Sequence, residues 1–188
     1  MEKKTKNTRA NIIEVATRLF MDNGYQSTST RQIAQLAEIT QPNLYHHFQN
    51  KEEVYVGVIE NLLSEVNAEL DAIVTNTSLT TTMKLRNVAE CLQANHPFDF
   101  ELMMHDFKTK LTQETQKNLF LLWNESYKEP LLRLFATSDF PVRAGISVEV
   151  ATMHFLNTLA PYIKADKNRN SLTIQQVVDL FIHGVSSE

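Results

Sequence analysis

Four glycines, five prolines and a single cysteine are all that this chain of 188 residues holds of those three types. So few breakers leave little material for tight turns and point to long helices. Alternating runs of Val, Ile and Thr are missing too, and with them the signal for a sheet. A lone cysteine, Cys91, excludes a disulfide framework and a cysteine-rich metal site, and fits a cytoplasmic setting. No apolar stretch approaches the ~20 residues that span a bilayer, so no membrane partner is expected. The start, Met1-Glu2-Lys3-Lys4-Thr5-Lys6, is basic, but no apolar segment of the signal-peptide kind follows it. A glycine-rich phosphate loop and a nucleophile elbow are absent. His46, His47, His96, His105, His154 and His183 show no metal-ligand spacing, so neither a metal nor another cofactor is expected. Asp99, Glu101 and Asp106 around His105 read as a solvated acidic face, not as acid–base machinery. Together these absences argue against an enzyme.

The net charge of −4 looks wrong for a nucleic-acid binder until the chain is split. Residues 1–51 carry seven Lys/Arg and four acids, a balance of +3, whereas residues 52–188 carry eleven and eighteen, a balance of −7. A basic head on an acidic body suits a small nucleic-acid module joined to something else.

Apolar spacing predicts an all-α chain. Ile12, Ile13, Ala16, Leu19 and Phe20 make one stripe of a first helix, about Thr5 to Asn23, which Gly24 should end. A short second helix is capped near Thr28 or Ser29. A third begins after Thr40 with Pro42 in its first turn, where a missing N–H costs nothing. A long fourth, about Lys51 to Val74, contains Gly57, a mark of a close helix contact. Helices are expected over about Met83–Ala94, Phe98–Leu111 and Thr112–Thr137, the last kinked or restarted at Pro130. Leu119-Phe120-Leu121-Leu122-Trp123 is apolar on all sides and should be centrally buried. Two final helices, about Ser147–Lys164 and Thr173–Val185, flank the polar loop Ala165–Ser171.

The third helix carries the chemistry. On a wheel with Leu44 at zero, Phe48 falls at about 40°, while Pro42, His46 and Asn43 fall at about 160°, 200° and 260°. Leu44 and Phe48 therefore anchor one face, and a polar face without Lys or Glu points away. Gln41 and Asn43 amides can pair with base edges, with adenine as the best bidentate match. Tyr45, His46 and His47 can reach phosphates, which set register. Arg31 and Lys51 flank the helix and can neutralise phosphates.

Gly24-Tyr25, Thr28, Arg31-Gln32-Ile33-Ala34, Ala37, Leu44-Tyr45-His46-His47-Phe48 and Lys51-Glu52-Glu53 resemble the DNA-binding domain of the tetracycline-repressor (TetR) family. The resemblance implies a helix-turn-helix DNA-binding domain over residues 1–50 and a helical inducer-binding and dimerisation domain over 51–188. It implies a homodimeric transcriptional repressor that binds a palindromic double-stranded DNA operator and is released by a small-molecule inducer. Carried onto matching positions, the DNA contacts would be Ser29, Thr30, Arg31, Gln41, Pro42, Asn43, Tyr45, His46, His47 and Lys51. One position departs: where most of the family has Gly in the turn between the second and third helices, this chain has Glu38. A left-handed backbone there costs a non-glycine residue about 1 kcal/mol or more. An activator or inducer-less regulator of the same fold, or a helical interaction module or small enzyme that leaves DNA alone, are the alternatives.

In the C-terminal body, Phe155, Leu159, Val178, Phe181 and Val185 lie on apolar faces broader than one core contact requires, and are expected at a two-fold dimer interface. Phe100, Met103, Met104, Phe107, Trp123, Tyr127, Met153 and His154 suit an adaptable, largely apolar ligand pocket, and equally suit plain core packing.

Overall fold

The computed structural model describes residues 2–95, 100–137, 140–163 and 172–185. Among the described residues every regular element is helical: α1 (Glu2–Ser27), α2 (Thr30–Leu36), α3 (Gln41–His47), α4 (Lys51–Thr75), α5 (Thr81–Asn95), α6 (Phe100–Lys110), α7 (Gln113–Trp123), a π-helical turn (Asn124–Lys128), α8 (Glu129–Phe135), α9 (Val148–Ile163) and α10 (Ile174–Val185). No helix among them is long and apolar enough to cross a membrane. The polar loop expected over 165–171 lies outside the described residues.

Contacts divide the chain into two compact units, one of Met1–Leu62 with Glu101–Phe120, the other of Leu63–Phe100 with Leu121–Glu188. The division is not a single cut near residue 50, because α6 and most of α7 group with the N-terminal helices.

In the first unit, Ile12, Ile13, Ala16 and Phe20 of α1 pack with Ile33, Ala34, Leu44, Phe48, Val54, Tyr55 and Val58 in a core that water does not reach. α1 breaks at Gly24, whose φ of 78° is the left-handed backbone that glycine adopts most easily. Gly57 does mark a close approach. A Cβ there would sit 2.8 Å from Ile13 Cδ1 and 3.2 Å from Phe48 Cε1, so the missing side chain lets α4 lie against both. Phe20 and Tyr25 meet the Tyr55 ring edge-on, with centroids 5.1 and 5.3 Å away.

The second unit is built on Leu85, Val88 and Leu92 of α5, Leu131, Leu134 and Phe135 of α8, Ala151, Phe155 and Leu159 of α9, and Val178 and Phe181 of α10. Phe135 is its hub: the rings of Phe140, Phe155 and Phe181 lie 5.7, 5.9 and 5.9 Å from it. Cys91 is a buried free thiol. Arg86–Asp179 and Arg133–Asp71 ion pairs sit on the outside of this unit.

Two expectations are corrected here and one is refined. The apolar run 119–123 is not centrally buried: only Leu119 is, while Phe120 is 54% and Leu121 58% exposed. One helix turns its side chains through all directions, and too little packs around α7 to cover every one of them. The helix expected over 112–137 does restart at Pro130, and the structure adds a π turn before the restart. Pro130 has no N–H for the carbonyl four residues back and its ring crowds it. The preceding turn is wider, and the Glu129 N–H donates to the Asn124 carbonyl five residues back. Finally, Phe155, Leu159, Val178 and Phe181 are interior core residues and do not form an outward dimer face. Their breadth serves packing among α5, α8, α9 and α10. The Val185 side chain lies outside the described residues.

Candidate nucleic-acid interface

The site is a helix-turn-helix assembled from local rules. Ser29 caps α2 in a reciprocal box: its hydroxyl accepts from the Gln32 N–H, and the Gln32 side chain accepts from the Ser29 N–H. Thr40 caps α3 by accepting from the Asn43 N–H, and Pro42 occupies its first turn. Between them the α2 terminus closes with two hydrogen bonds, Ile39 N–H to the Ala34 carbonyl at 3.0 Å and Glu38 N–H to the Gln35 carbonyl at 3.2 Å. This is the Schellman arrangement, which places the residue after the cap in the left-handed region. That residue is Glu38, with φ 56°, the only non-glycine with positive φ among the described residues. The departure from the family pattern at this position therefore carries real backbone strain. Glu38→Gly is expected to stabilise the protein by about 1 kcal/mol. A thermal melt checks it, and an unchanged or lowered midpoint would refute the strain.

Leu44 is the one buried residue of α3, with no exposed surface at all, and Phe48 at the C-cap is buried beside it. Gln41, Pro42, Asn43, Tyr45 and His46 stand exposed, and His47 is half-buried. Burial, then His46 and Arg9, push the His47 pKa below the ordinary histidine value, so at neutral pH it offers hydrogen bonds and no charge. Ser29 and Arg31 are also exposed. Thr30 is different. It is only 8% exposed, and its hydroxyl lies 3.0 Å from the Tyr45 hydroxyl and accepts from Gln41 Nε2 at 3.3 Å. Two side chains of α3 cover it, so it sits behind the reading face.

Lys51 begins α4 with its ammonium 4.3 Å from the centre of the Tyr25 ring. Burial lowers its pKa, with Asp106 working in the opposite direction. Two residues escape a reading of the sequence. Arg9 lies with its guanidinium 4.9 Å over the Phe48 ring and is exposed, a further positive charge beside α3. Its place is hidden because α1 is continuous in sequence with residues far from α3. Asp106 is no part of a solvated face. It is 4% exposed and accepts from the Tyr25 N–H at 2.6 Å. Asp99 and the Glu101 side chain lie outside the described residues. Nearby, the Glu52 carboxylate accepts from both the N–H and the hydroxyl of Thr112, at 3.0 and 2.8 Å. α6 and the start of α7 are thus tied to the segment before α2 and to the start of α4.

The residues expected to line a ligand pocket fall in both units. Trp123 stacks on Tyr127 with centroids 6.2 Å apart. His154 is exposed, its ring 5.5 Å from Phe181. Met153 is half-buried in the second unit, and Met103 and Phe107 are half-buried in the first. The side chains of Phe100 and Met104 lie outside the described residues. Among the described residues no group of three His, Cys, Asp or Glu could hold a metal ion.

Residues 12–58 match the family described as bacterial regulatory proteins, tetR family. The HTH-type transcriptional regulator QacR of Staphylococcus aureus is 40% identical over 53 residues, 28% of either chain. The HTH-type transcriptional repressor KstR2 of Rhodococcus jostii is 26% identical over 184 residues, 93% of this chain and 87% of that one. Among solved structures, AibR in complex with isovaleryl coenzyme A and operator DNA superposes with a TM-score of 0.71 at 22% identity, covering 95% of this chain and 98% of that one. Residues 12–58, which hold the capped helix-turn-helix, are thus similar to the tetR family of bacterial regulatory proteins, and the helical fold is of the same kind as that solved structure along nearly the whole length.

Proposed function

We propose that this protein is a ligand-responsive, dimeric transcriptional repressor that binds a palindromic operator and is released by a small, largely apolar inducer. The observation that carries the reading is α3: seven residues held by one buried leucine, presenting amides, a phenol and imidazoles to solvent without a single Lys or Glu. Such a face fits the major groove, where hydrogen-bonding side chains meet base edges. Two copies related by a two-fold axis would enter successive grooves about 34 Å apart.

The surfaces of α9 and α10 support dimerisation, on different residues from those expected. Glu149 and Asp179 are the only formal charges in these two helices, and Asp179 is paired with Arg86. The exposed side chains Val150, His154 and Asn157 on α9, and Gln176, Leu180 and His183 on α10, form a face depleted of charge, as interface centres are. Leu180, 64% exposed, is its most prominent apolar member. Leu180→Glu is expected to give a folded monomer in sedimentation, with helical content unchanged; a persistent dimer would place the interface elsewhere.

For the inducer, the second unit offers one unpartnered polar atom. Thr152 Oγ1 is fully buried with no hydrogen-bond partner among the described residues. An orphan of this kind is what the polar group of an otherwise apolar ligand would satisfy. The inducer must bind the DNA-incompetent conformation more tightly than the competent one, or it shifts nothing. Asp106 and Thr112 tie α6 and the start of α7 to the end of α1 and the start of α4, the segments that flank the helix-turn-helix.

The test is an electrophoretic shift against palindromic duplexes adjoining its own gene. Binding should weaken as salt rises, and Lys51→Ala should flatten the salt slope by about one unit. Absence of binding to any duplex at low salt refutes the reading.

A further inference from the structure

We propose that Thr30 is a positioning residue that sets the base preference of Gln41, by fixing which end of the Gln41 amide faces the groove. The inference rests on the DNA-binding reading above and adds a specificity mechanism to it.

The argument is one of hydrogen-bond direction. A threonine hydroxyl has one proton to give and lone pairs to receive. Thr30 Oγ1 accepts from Gln41 Nε2 at 3.3 Å and lies 3.0 Å from the Tyr45 hydroxyl. The chain can then run from the Gln41 amide into Thr30, from the Thr30 proton to the Tyr45 oxygen, and outward through the Tyr45 proton. In the reverse direction Tyr45 gives its proton to Thr30, Thr30 gives its own to the Gln41 carbonyl, and Gln41 turns its NH2 outward. A DNA phosphate chooses between them. Its oxygens only accept, so a Tyr45 that contacts phosphate must donate outward, and this selects the first direction.

In that direction Gln41 uses the amide proton that lies away from its carbonyl to hold Thr30. The carbonyl oxygen and the second N–H share the opposite edge, which is the edge that pairs with N6 and N7 of adenine. The reversed amide exchanges oxygen and nitrogen on that edge, so its acceptor and donor no longer meet N6 and N7 of adenine in register. Thr30 therefore couples a contact that carries no sequence information, Tyr45 on phosphate, to one that does. Its 8% exposure keeps water from replacing either bond.

The experiment is selection from a pool of duplexes with randomised, two-fold symmetric half-sites, followed by affinity measurements on the four variants at the base pair most sensitive to Gln41→Ala. The wild type is expected to enrich adenine there. Thr30→Ser, which keeps the hydroxyl, should retain the preference. Thr30→Val, similar in shape but without the hydroxyl, should lose about tenfold of the discrimination, with melting temperature and salt slope unchanged. Tyr45→Phe, on the exposed side of α3, removes the outward donor without touching the core. It should relax the same base pair several-fold, besides weakening binding to every sequence. If the wild type enriches a defined site and both variants keep its preference at this base pair, or the preferred base is guanine, the role of Thr30 is overturned while DNA binding stands. If the wild type enriches no duplex, the DNA-binding reading falls first and this mechanism with it.

Discussion

Phe135→Ala is expected to cost about 3–5 kcal/mol, among the largest losses any single side chain of the second unit can cause. The ring is buried and meets Phe140, Phe155 and Phe181, so truncation leaves a void that three rigid aromatic neighbours cannot close. Their planes lie at 63°, 74° and 61° to it, edge-on geometries whose quadrupole attraction is lost together with the buried area. For a chain of this size each kcal/mol moves the midpoint by about 2–4 °C, so a fall of roughly 6–20 °C is expected in a thermal melt. Phe135→Leu should fall between alanine and wild type, because it restores most of the volume. A midpoint within about 2 °C of wild type for the alanine variant would mean that the cluster is not the hub described.

The second large effect is expected at Leu44. A seven-residue helix has no stability of its own in water, because the nucleation cost is not recovered over so few hydrogen bonds. α3 is held by its caps at Thr40 and Phe48 and by one buried anchor. Leu44→Ala should cost about 2–5 kcal/mol. It should reduce DNA binding further than that loss alone would, since α3 must then be ordered on the duplex at the expense of binding energy. Hydrogen exchange across residues 41–47 would report the release directly, with a gel shift on the same sample. Asn43→Ala is the control: it is exposed, and should leave stability nearly unchanged while altering base preference. Protected amides and full DNA affinity in Leu44→Ala would show that α3 is held by something else.

Much of the first unit is legible in the sequence alone. Ser29 and Thr40 announce two helix starts, Gly24 a break, Pro42 a first turn, and the spacing of Leu44 and Phe48 a buried side. These are local rules, acting within one or two helical turns. Glu38 is legible in a subtler way. The resemblance to a family that places Gly in this turn implies a left-handed residue between α2 and α3, and the side chain that occupies it does not remove the demand. Thr30 is expected as a DNA contact only because the family resemblance carries Ser29, Thr30 and Arg31 over together. A helix start gives no sign that Gln41 and Tyr45, eleven and fifteen residues on, fold back over it. Asp106 misleads for a similar reason. With Asp99, Glu101 and His105 close in sequence it looks like part of an acidic face, but its partner is an N–H eighty-one residues earlier.

The C-terminal half shows the other side. Phe155, Leu159, Val178 and Phe181 are apolar at helical spacing, which says that they are buried but not against what. Burial within a chain and burial between chains leave the same pattern, because both remove the same apolar area from water. Only the packing of α5, α8, α9 and α10 assigns these four to the interior and leaves Val150 and Leu180 facing out. The run 119–123 misleads for the complementary reason: apolar residues on every side of a helix are a demand for cover that the surrounding chain does not meet.

What the sequence by itself determined is everything governed by local stereochemistry and periodicity. That includes the all-helical class, the caps and turns of the helix-turn-helix, the anchored and reading sides of α3, and the basic head on an acidic body. What only the tertiary structure decided is which side chains face one another across long stretches of chain. Examples are Thr30 beneath Gln41 and Tyr45, Asp106 on the Tyr25 N–H, Lys51 on the Tyr25 ring, and Phe135 among three other aromatics. The physical reason is one of range. A cap or an amphipathic stripe is written within a few residues. A contact between residues far apart in sequence depends on how whole helices pack, and no short window of sequence contains it.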